Sequence, residues 1–273
     1  MEHSGGYGEK SVPLERGKPR APERIAMPTA DSPTPRFEVT DATVDIDTLV
    51  VGFTEYGLAG LTAVDYLSDQ LEMRQIGHLA DAGPPHITPF EGGVPRHHTR
   101  LYVDEGRSLA VVVGERMVPV ESAPAVADAV EELTDQLTPE SLTVLTGIPV
   151  AHGPDDHVPF YIATGDYHER YLVDSDIRPM GTGFLDGVTA ELVADGIDGD
   201  LPVGVFATPA HPQAPDAAAA IRLLEALTTT HAIDVDTGPL ETFAATVEAQ
   251  YRALAERIES ADERSMPDDR MYM

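Results

Sequence analysis

From residue 47 onward, short apolar runs alternate with stretches of helical periodicity, and this alternation constrains the fold more than any other feature. Asp47-Thr-Leu-Val-Val-Gly52 reads as a strand buried on both faces. Glu55 to Leu71 reads as a helix, with Leu58, Leu61, Val64, Leu67 and Leu71 at helical spacing. Met73 to Leu79 is a second strand, and Ala82 to Arg96 a Gly/Pro-rich loop. Thr99–Val103 and Leu109–Val113 flank Asp104-Glu-Gly-Arg107, the pattern of a hairpin. Ser122 is placed as the N-cap of a helix with Val126, Val130, Leu133 and Leu137 on one face. Strands are expected at Ser141–Thr146, Phe160–Ala163 and Leu201–Phe206. Helices are expected at Asp166–Val173, Gly183–Gly196, Ala214–Thr230 and Leu240–Ile258. The last carries a stripe of Phe243, Val247, Tyr251, Leu254 and Ile258, long enough to pack on the body or on a second subunit.

Such an order implies an α/β fold: one domain, a largely parallel sheet, and helices covering both faces. The expected organisation is a disordered tail at 1–38, a domain at 39–259 and a flexible C-terminal tail at 260–273. The first tail is rich in proline and glycine and poor in apolar periodicity. The second runs polar from Glu259 to Arg270 and then turns apolar and aromatic at Met271-Tyr272-Met273.

Charge narrows the setting. Of 273 residues, 18 are basic and 47 acidic, a net of −29. Residues 1–36 hold 6 basic and 5 acidic side chains, so residues 37–273 carry 12 and 42. Both lysines, Lys10 and Lys18, lie in the first stretch, and the body uses only arginine. A body so unbalanced repels itself at low salt. At molar salt the Debye length falls to about 3 Å and the penalty largely disappears. The composition therefore points to a halophilic protein in a salt-rich cytoplasm. A body without a basic patch is not built to bind nucleic acid. No apolar run approaches the roughly 20 residues of a membrane span, and no signal peptide is visible, so the expectation is a cytoplasmic protein. There is no cysteine, which removes disulfides, zinc–thiolate sites and cysteine nucleophiles.

The search for chemistry returns little. Val51-Gly-Phe-Thr-Glu-Tyr-Gly-Leu-Ala-Gly60 is a strand-to-helix crossing, and such crossings lie where α/β sheets bind ligands. Gly52, Gly57 and Gly60 serve equally for close packing of helix on sheet. Gly181-Thr-Gly-Phe-Leu-Asp-Gly187 opens a helix, and Gly181 and Gly183 allow either a phosphate approach or a tight turn. No Walker lysine follows, which favours the turn. His152-Gly-Pro-Asp155-Asp156-His157 has metal-ligand residue types, but Pro154 and Pro159 interrupt any helical pair, and no metal is expected. Neither a Gly-x-Ser-x-Gly elbow nor a His-Glu-x-x-His is present. Residue chemistry alone names no catalytic residue and no cofactor.

Several segments in order resemble the PAC2 family of proteasome-assembly chaperones, which has archaeal members. They are Val51–Gly60 with its helix, Gly83-Pro-Pro-His86, Leu109-Ala-Val-Val-Val-Gly-Glu115, Met180–Gly187, and Pro215-Asp-Ala-Ala-Ala-Ala220 before a long helix. Val205-Phe-Ala-Thr-Pro-Ala210 departs from the family pattern in lacking glycines. The resemblance implies a nucleoside-phosphorylase-like α/β architecture and no enzyme. It also gives the terminus a meaning, because proteins that dock on the proteasome core often end in hydrophobic–Tyr–any residue. On that reading the Met273 carboxylate pairs with a lysine between α-ring subunits, Tyr272 supplies a rigid ring, and Met271 fills an apolar groove. The expected protein is a homo-oligomeric chaperone or regulator whose partners are α-ring subunits, binding through several tails at once. Two alternatives stand beside it. One is a ligand-binding protein or enzyme using the Gly52–Gly60 crossing with His86 or Arg96. The other is an adaptor with residues 1–36 as its client-facing arm.

Overall fold

The computed structural model describes residues 34–80, 86–150, 153, 156–211, 215–247 and 249. In chain order the elements are β1 (Arg36–Val39), β2 (Thr48–Phe53), α1 (Ala59–Gln70), β3 (Arg74–Ala80) and a small hairpin of β4 (Phe90–Glu91) and β5 (Val94–Pro95). Then come β6 (Thr99–Asp104), β7 (Leu109–Gly114), α2 (Ala123–Leu137), β8 (Ser141–Ile148) and β9 (Phe160–Ala163). The last are α3 (Gly165–Tyr167), β10 (Arg178–Pro179), α4 (Gly187–Asp198), β11 (Val203–Pro209) and α5 (Ala217–His231). A further helix starts at residue 238.

Nine strands form one sheet in the order β1-β3-β6-β7-β2-β8-β11-β9-β10. The central four, β7, β2, β8 and β11, run parallel in register, with Val50 beside both Val111 and Thr143. The flanks add antiparallel partners: β6 on β7, β3 on β6, β1 on β3 and β9 on β11.

Burial on both faces explains why the central strands are continuous apolar runs rather than alternating ones. Along β2, Leu49 and Val51 point to one core and Val50 to the other. The first core is closed by α2 and α4 through Val126, Val130, Leu133, Val188 and Leu192. The second is closed by α1 and α5 through Val64, Leu67, Leu223 and Leu227. The expected face of α2 is thus the buried one, and the α/β architecture with helices on both faces is the one observed. No helix among the described residues is long and apolar enough to cross a membrane.

Several local expectations differ from the structure. Residues 36–38, read as tail, belong to β1, whose Phe37 is buried and pairs with Leu79. Two prolines just upstream and only four residues of strand hid it from periodicity. The helix expected over Asp166–Val173 is a single α turn followed by a π-helical turn at His168–Leu172. The helix expected from Gly183 starts only at Gly187, whose φ of +62° no right-handed helix can run through. Ser122 occupies the N-cap position of α2, but its side chain makes no capping bond. In the final helix Leu240 is buried, but Phe243, the first residue of the expected stripe, stands 56% exposed, and its Tyr251, Leu254 and Ile258 lie outside the described residues.

Candidate functional site

The carboxyl ends of the parallel strands are where an open α/β sheet places its working residues. Here β2 leaves the sheet at Phe53 and turns through Thr54-Glu55-Tyr56-Gly57-Leu58 into α1. The turn is left-handed at both Gly57 (φ +61°) and Leu58 (φ +51°). A Cβ on Gly60 would lie 1.9 Å from the Leu145 carbonyl oxygen, and one on Gly52 would lie 2.5 Å from the Gly60 oxygen. The first turn of α1 is therefore pressed directly onto β2 and β8. Gly147 joins this contact, since a Cβ there would meet the Tyr56 oxygen at 2.3 Å. Gly52 and Gly60 fill their space with backbone. Gly181 and Gly183 lie on another loop, before α4, with open space around both. The structure thus places Gly52, Gly57 and Gly60 in one crossing and leaves Gly181 and Gly183 apart from them.

What joins the two segments is Glu55. Its carboxylate accepts hydrogen bonds from Thr146 Oγ1 on β8 and from Thr189 Oγ1 on α4, the latter at 3.3 Å. Burial holds the Glu55 carboxyl above its ordinary pKa, the nearby charge of Asp186 adds to that, and the two threonine hydroxyls oppose it. The residue lies inside the crossing motif, but one glutamate among 47 acids carries no signal of its own.

A second polar cluster sits at the same end, beside β7. Arg100, on β6, is fully buried. Its guanidinium donates to Glu115 Oε2 at 2.9 Å, to Asp65 Oδ1 at 3.2 Å and to the His97 carbonyl at 3.2 Å, while its Nε donates to Tyr102 Oη at 2.7 Å. Arg96 donates to the other oxygen of Glu115 at 2.6 Å and also to Glu91. Burial raises the Asp65 carboxyl, Asp69 adds to the shift, and Arg100 opposes it. His78 and His97 stack with ring centroids 3.5 Å apart. Burial lowers the His98 pKa, and the charge of Arg116 lowers it further. Sequence reasoning passed over Arg100, although an arginine inside Thr99-Arg100-Leu101-Tyr102-Val103 demands a carboxylate partner wherever that strand is covered.

The remaining candidates are dispersed. His86 is exposed. Arg96 is spent on Glu91 and Glu115. Of the histidine–aspartate run, His152 and Asp155 lie outside the described residues. Asp156 accepts the Gly153 amide, and His157 meets the His211 ring edge-on at 5.8 Å. Among the described residues no three His, Asp or Glu side chains converge to hold a metal. Met271, Tyr272 and Met273 also lie outside the described residues.

The arrangement at this end is a clamp rather than an open cradle: backbone fills the glycine crossing, and the Glu55 and Arg100 side chains are held by internal hydrogen bonds, while Arg96 Nε is buried without a partner. A family model described as the PAC2 family matches residues 49–255, from the start of β2 through α5 and beyond. This chain belongs to the PAC2 family. The match spans the Gly52–Gly60 crossing, the 180–187 loop and α5, and it ends before Met271. Solved structures share the fold. A Pyrococcus furiosus protein, PbaA, described as an archaeal homolog of proteasome-assembly chaperone, is 20% identical with a TM-score of 0.74, covering 84% of this chain and 95% of that one. PbaB from the same organism, described as an archaeal proteasome activator, is 17% identical with a TM-score of 0.67, covering 81% and 99%. A PAC2 family protein from Streptomyces avermitilis is 18% identical with a TM-score of 0.60, covering 77% and 96%. No curated protein matches the sequence.

Proposed function

We propose that this PAC2 protein is a cytoplasmic assembly chaperone or regulator of the proteasome. In this reading it is a homo-oligomer that docks on the α-ring of the core particle through Met271, Tyr272 and Met273. The observation that carries the reading is the likeness over 84% of this chain to PbaA, described as an archaeal homolog of proteasome-assembly chaperone, in a sequence that carries hydrophobic–Tyr–any residue at 271–273. The internal hydrogen bonding of Glu55 and Arg100 supports it, because groups held in this way suit a platform better than a reaction centre.

Residues 259–270 span up to roughly 40 Å when extended. One short tail binds weakly, and several on one assembly bind together by effective concentration. The test is co-sedimentation with proteasome α-rings at molar KCl, comparing the full chain with one ending at Arg270. Binding by the full chain and none by the truncated one is the expected result. Equal binding by both refutes the tail as anchor. Absence of binding by both refutes the proteasome reading and leaves the ligand-binding alternative, which a thermal-shift screen addresses.

A further inference from the structure

A cavity of about 460 Å³ opens between the last turns of α2 and α4. α2 leads into β8 and α4 into β11, and those two strands run parallel, so both helices finish beside the strands' beginnings. The cavity therefore lies at the amino end of the sheet, away from the glycine crossing. Its floor is apolar: Val130 from α2, Leu192 from α4, Leu142 on β8, and Leu201 and Val203 at the start of β11. Its walls are acidic: Glu131 and Asp135 on α2, Asp195 on α4, and Asp200 in the loop that follows. No basic side chain is found among the described residues that line it.

These four carboxylates have no ion-pair partner among the described residues. Other acids at this end of the sheet do: Glu140 is paired with Arg170, Glu105 with Arg74 and Asp104 with Arg107. The helices sharpen the contrast. Each ends on carbonyl groups that form the negative pole of its dipole, where a cation is stabilising and a carboxylate is not. Neither α2 nor α4 has a basic residue in its last turn, whereas Asp135 lies in the last turn of α2, and Asp195 and Asp198 in that of α4. Partial burial raises the Asp195 pKa, and the charges of Asp128 and Asp198 raise it further. Acidity alone suits a salt-rich solvent anywhere on the surface, but an open apolar floor beneath it does not.

We infer that this cavity is a binding site for a small organic cation: an ammonium or guanidinium group carried on an apolar body. Charge complementarity selects the head group. Four unpaired carboxylates and two negative helix poles converge where the chain supplies no cation of its own. The floor selects the body. A metal ion takes oxygen or nitrogen ligands on all sides, whereas half of this cavity is hydrocarbon. No three His, Asp or Glu side chains among the described residues converge to hold one. A neutral apolar molecule would cover the floor and leave the carboxylates without a partner. The volume falls within the roughly 300–1,000 Å³ of small-molecule sites. The site uses neither the glycine crossing nor Met271–Met273, so it goes beyond the proteasome reading and is tested independently of it.

The test uses the full chain at molar KCl, with binding read by ligand-observed NMR titration. The probe is 4-phenylbutylammonium. Its controls are 4-phenylbutanol (body without charge) and methylammonium (charge without body). The probe is expected to bind about tenfold or more tighter than either control. In Asp135→Asn/Asp195→Asn its dissociation constant is expected to rise about tenfold. Glu72→Gln/Glu121→Gln removes the same charge after α1 and before α2, both exposed positions away from the cavity, and should leave it unchanged. Neutralising Asp135 and Asp195 relieves like charge at two helix ends, so melting of that variant should not fall, and lost binding reports the site rather than the fold. A second variant, Thr138→Arg, supplies a tethered cation from an exposed position on the wall and is expected to exclude the probe. Equal binding of probe and alcohol, or of probe and methylammonium, overturns the inference. So does a wild type that does not bind the probe, or a cavity variant that binds it as the wild type does. If acetyl-Leu-Arg-Leu-amide binds where the probe does not, the occupant is a polypeptide and the inference also fails.

Discussion

His231 offers a measurable link between burial and pH. It ends α5 beside the amino ends of β2 and β8. Its Nε2 lies 3.1 Å from Thr143 Oγ1 and 3.0 Å from Tyr167 Oη, and its Nδ1 lies 3.4 Å from Thr48 Oγ1. The Tyr171 ring covers it with centroids 4.8 Å apart. Burial depresses the His231 pKa to about 4, and the nearby Arg170 charge adds to the depression. In the unfolded chain the imidazole returns to about 6.5. Between those values the unfolded state binds more protons than the native state, so stability falls as pH drops through the window. From pH 7.5 to 5.2 the linkage amounts to about 1.7 kcal/mol, using 1.36 kcal/mol per pKa unit. Buried carboxyls with raised values, such as Glu55 and Asp65, act with the opposite sign over the same range. The raw pH curve therefore does not isolate the histidine, and a comparison with His231→Gln does. Urea unfolding at molar salt, followed by circular dichroism at pH 7.5 and 5.2, reads the difference. The glutamine variant is expected to lose about 1–2 kcal/mol at pH 7.5 from imperfect hydrogen bonding. Its further loss on going to pH 5.2 is expected to be smaller than the wild type's by about 1.5–2 kcal/mol. Equal pH-dependent losses in both proteins would refute a neutral, buried His231.

The glycine crossing and the arginine cluster make further predictions. Gly60→Ala puts a methyl 1.9 Å from the Leu145 oxygen and is expected to cost about 3 kcal/mol or more, seen as a fall in melting temperature. Gly183→Ala, with open space around it, should stay within about 0.5 kcal/mol of wild type in the same assay. Arg100→Met leaves Glu115 and Asp65 without their buried partner and is expected to cost about 3–5 kcal/mol. Part of that loss should be recovered at pH 5.2, where Asp65 takes up a proton more readily. Truncation at Arg270 should leave melting unchanged while abolishing co-sedimentation with α-rings.

Much of the architecture was legible because burial on both faces writes itself into sequence as Thr48-Leu-Val-Val-Gly-Phe53 and Leu109-Ala-Val-Val-Val-Gly114. The amphipathic stripe of α2 was equally plain. Short elements were not. β1 has four residues and gains its stability from pairing with β3, a non-local contact that periodicity cannot register. The π-helical turn after Tyr167 keeps helical spacing in sequence while changing its hydrogen bonding. At the candidate site the glycines were visible as a motif, but their role depends on where Leu145 and Tyr56 place their carbonyl groups, which only the fold supplies. Glu55 was hidden by the acidity of the whole chain, whereas Arg100 stood out in an apolar strand and was overlooked. The terminal motif was legible as a pattern of residue types, and its role is tested by binding.

The Glu55 bond has a mechanical consequence. α1 follows Glu55 on one side of the sheet, and Thr189 belongs to α4 on the other, so one carboxylate stitches the two helical layers together around the sheet's rim. Movement at the start of α4 is thereby passed to the first turn of α1, although the two are separated by the sheet. Amide hydrogen exchange in that turn is expected to quicken in a Glu55→Ala variant, which cuts the stitch.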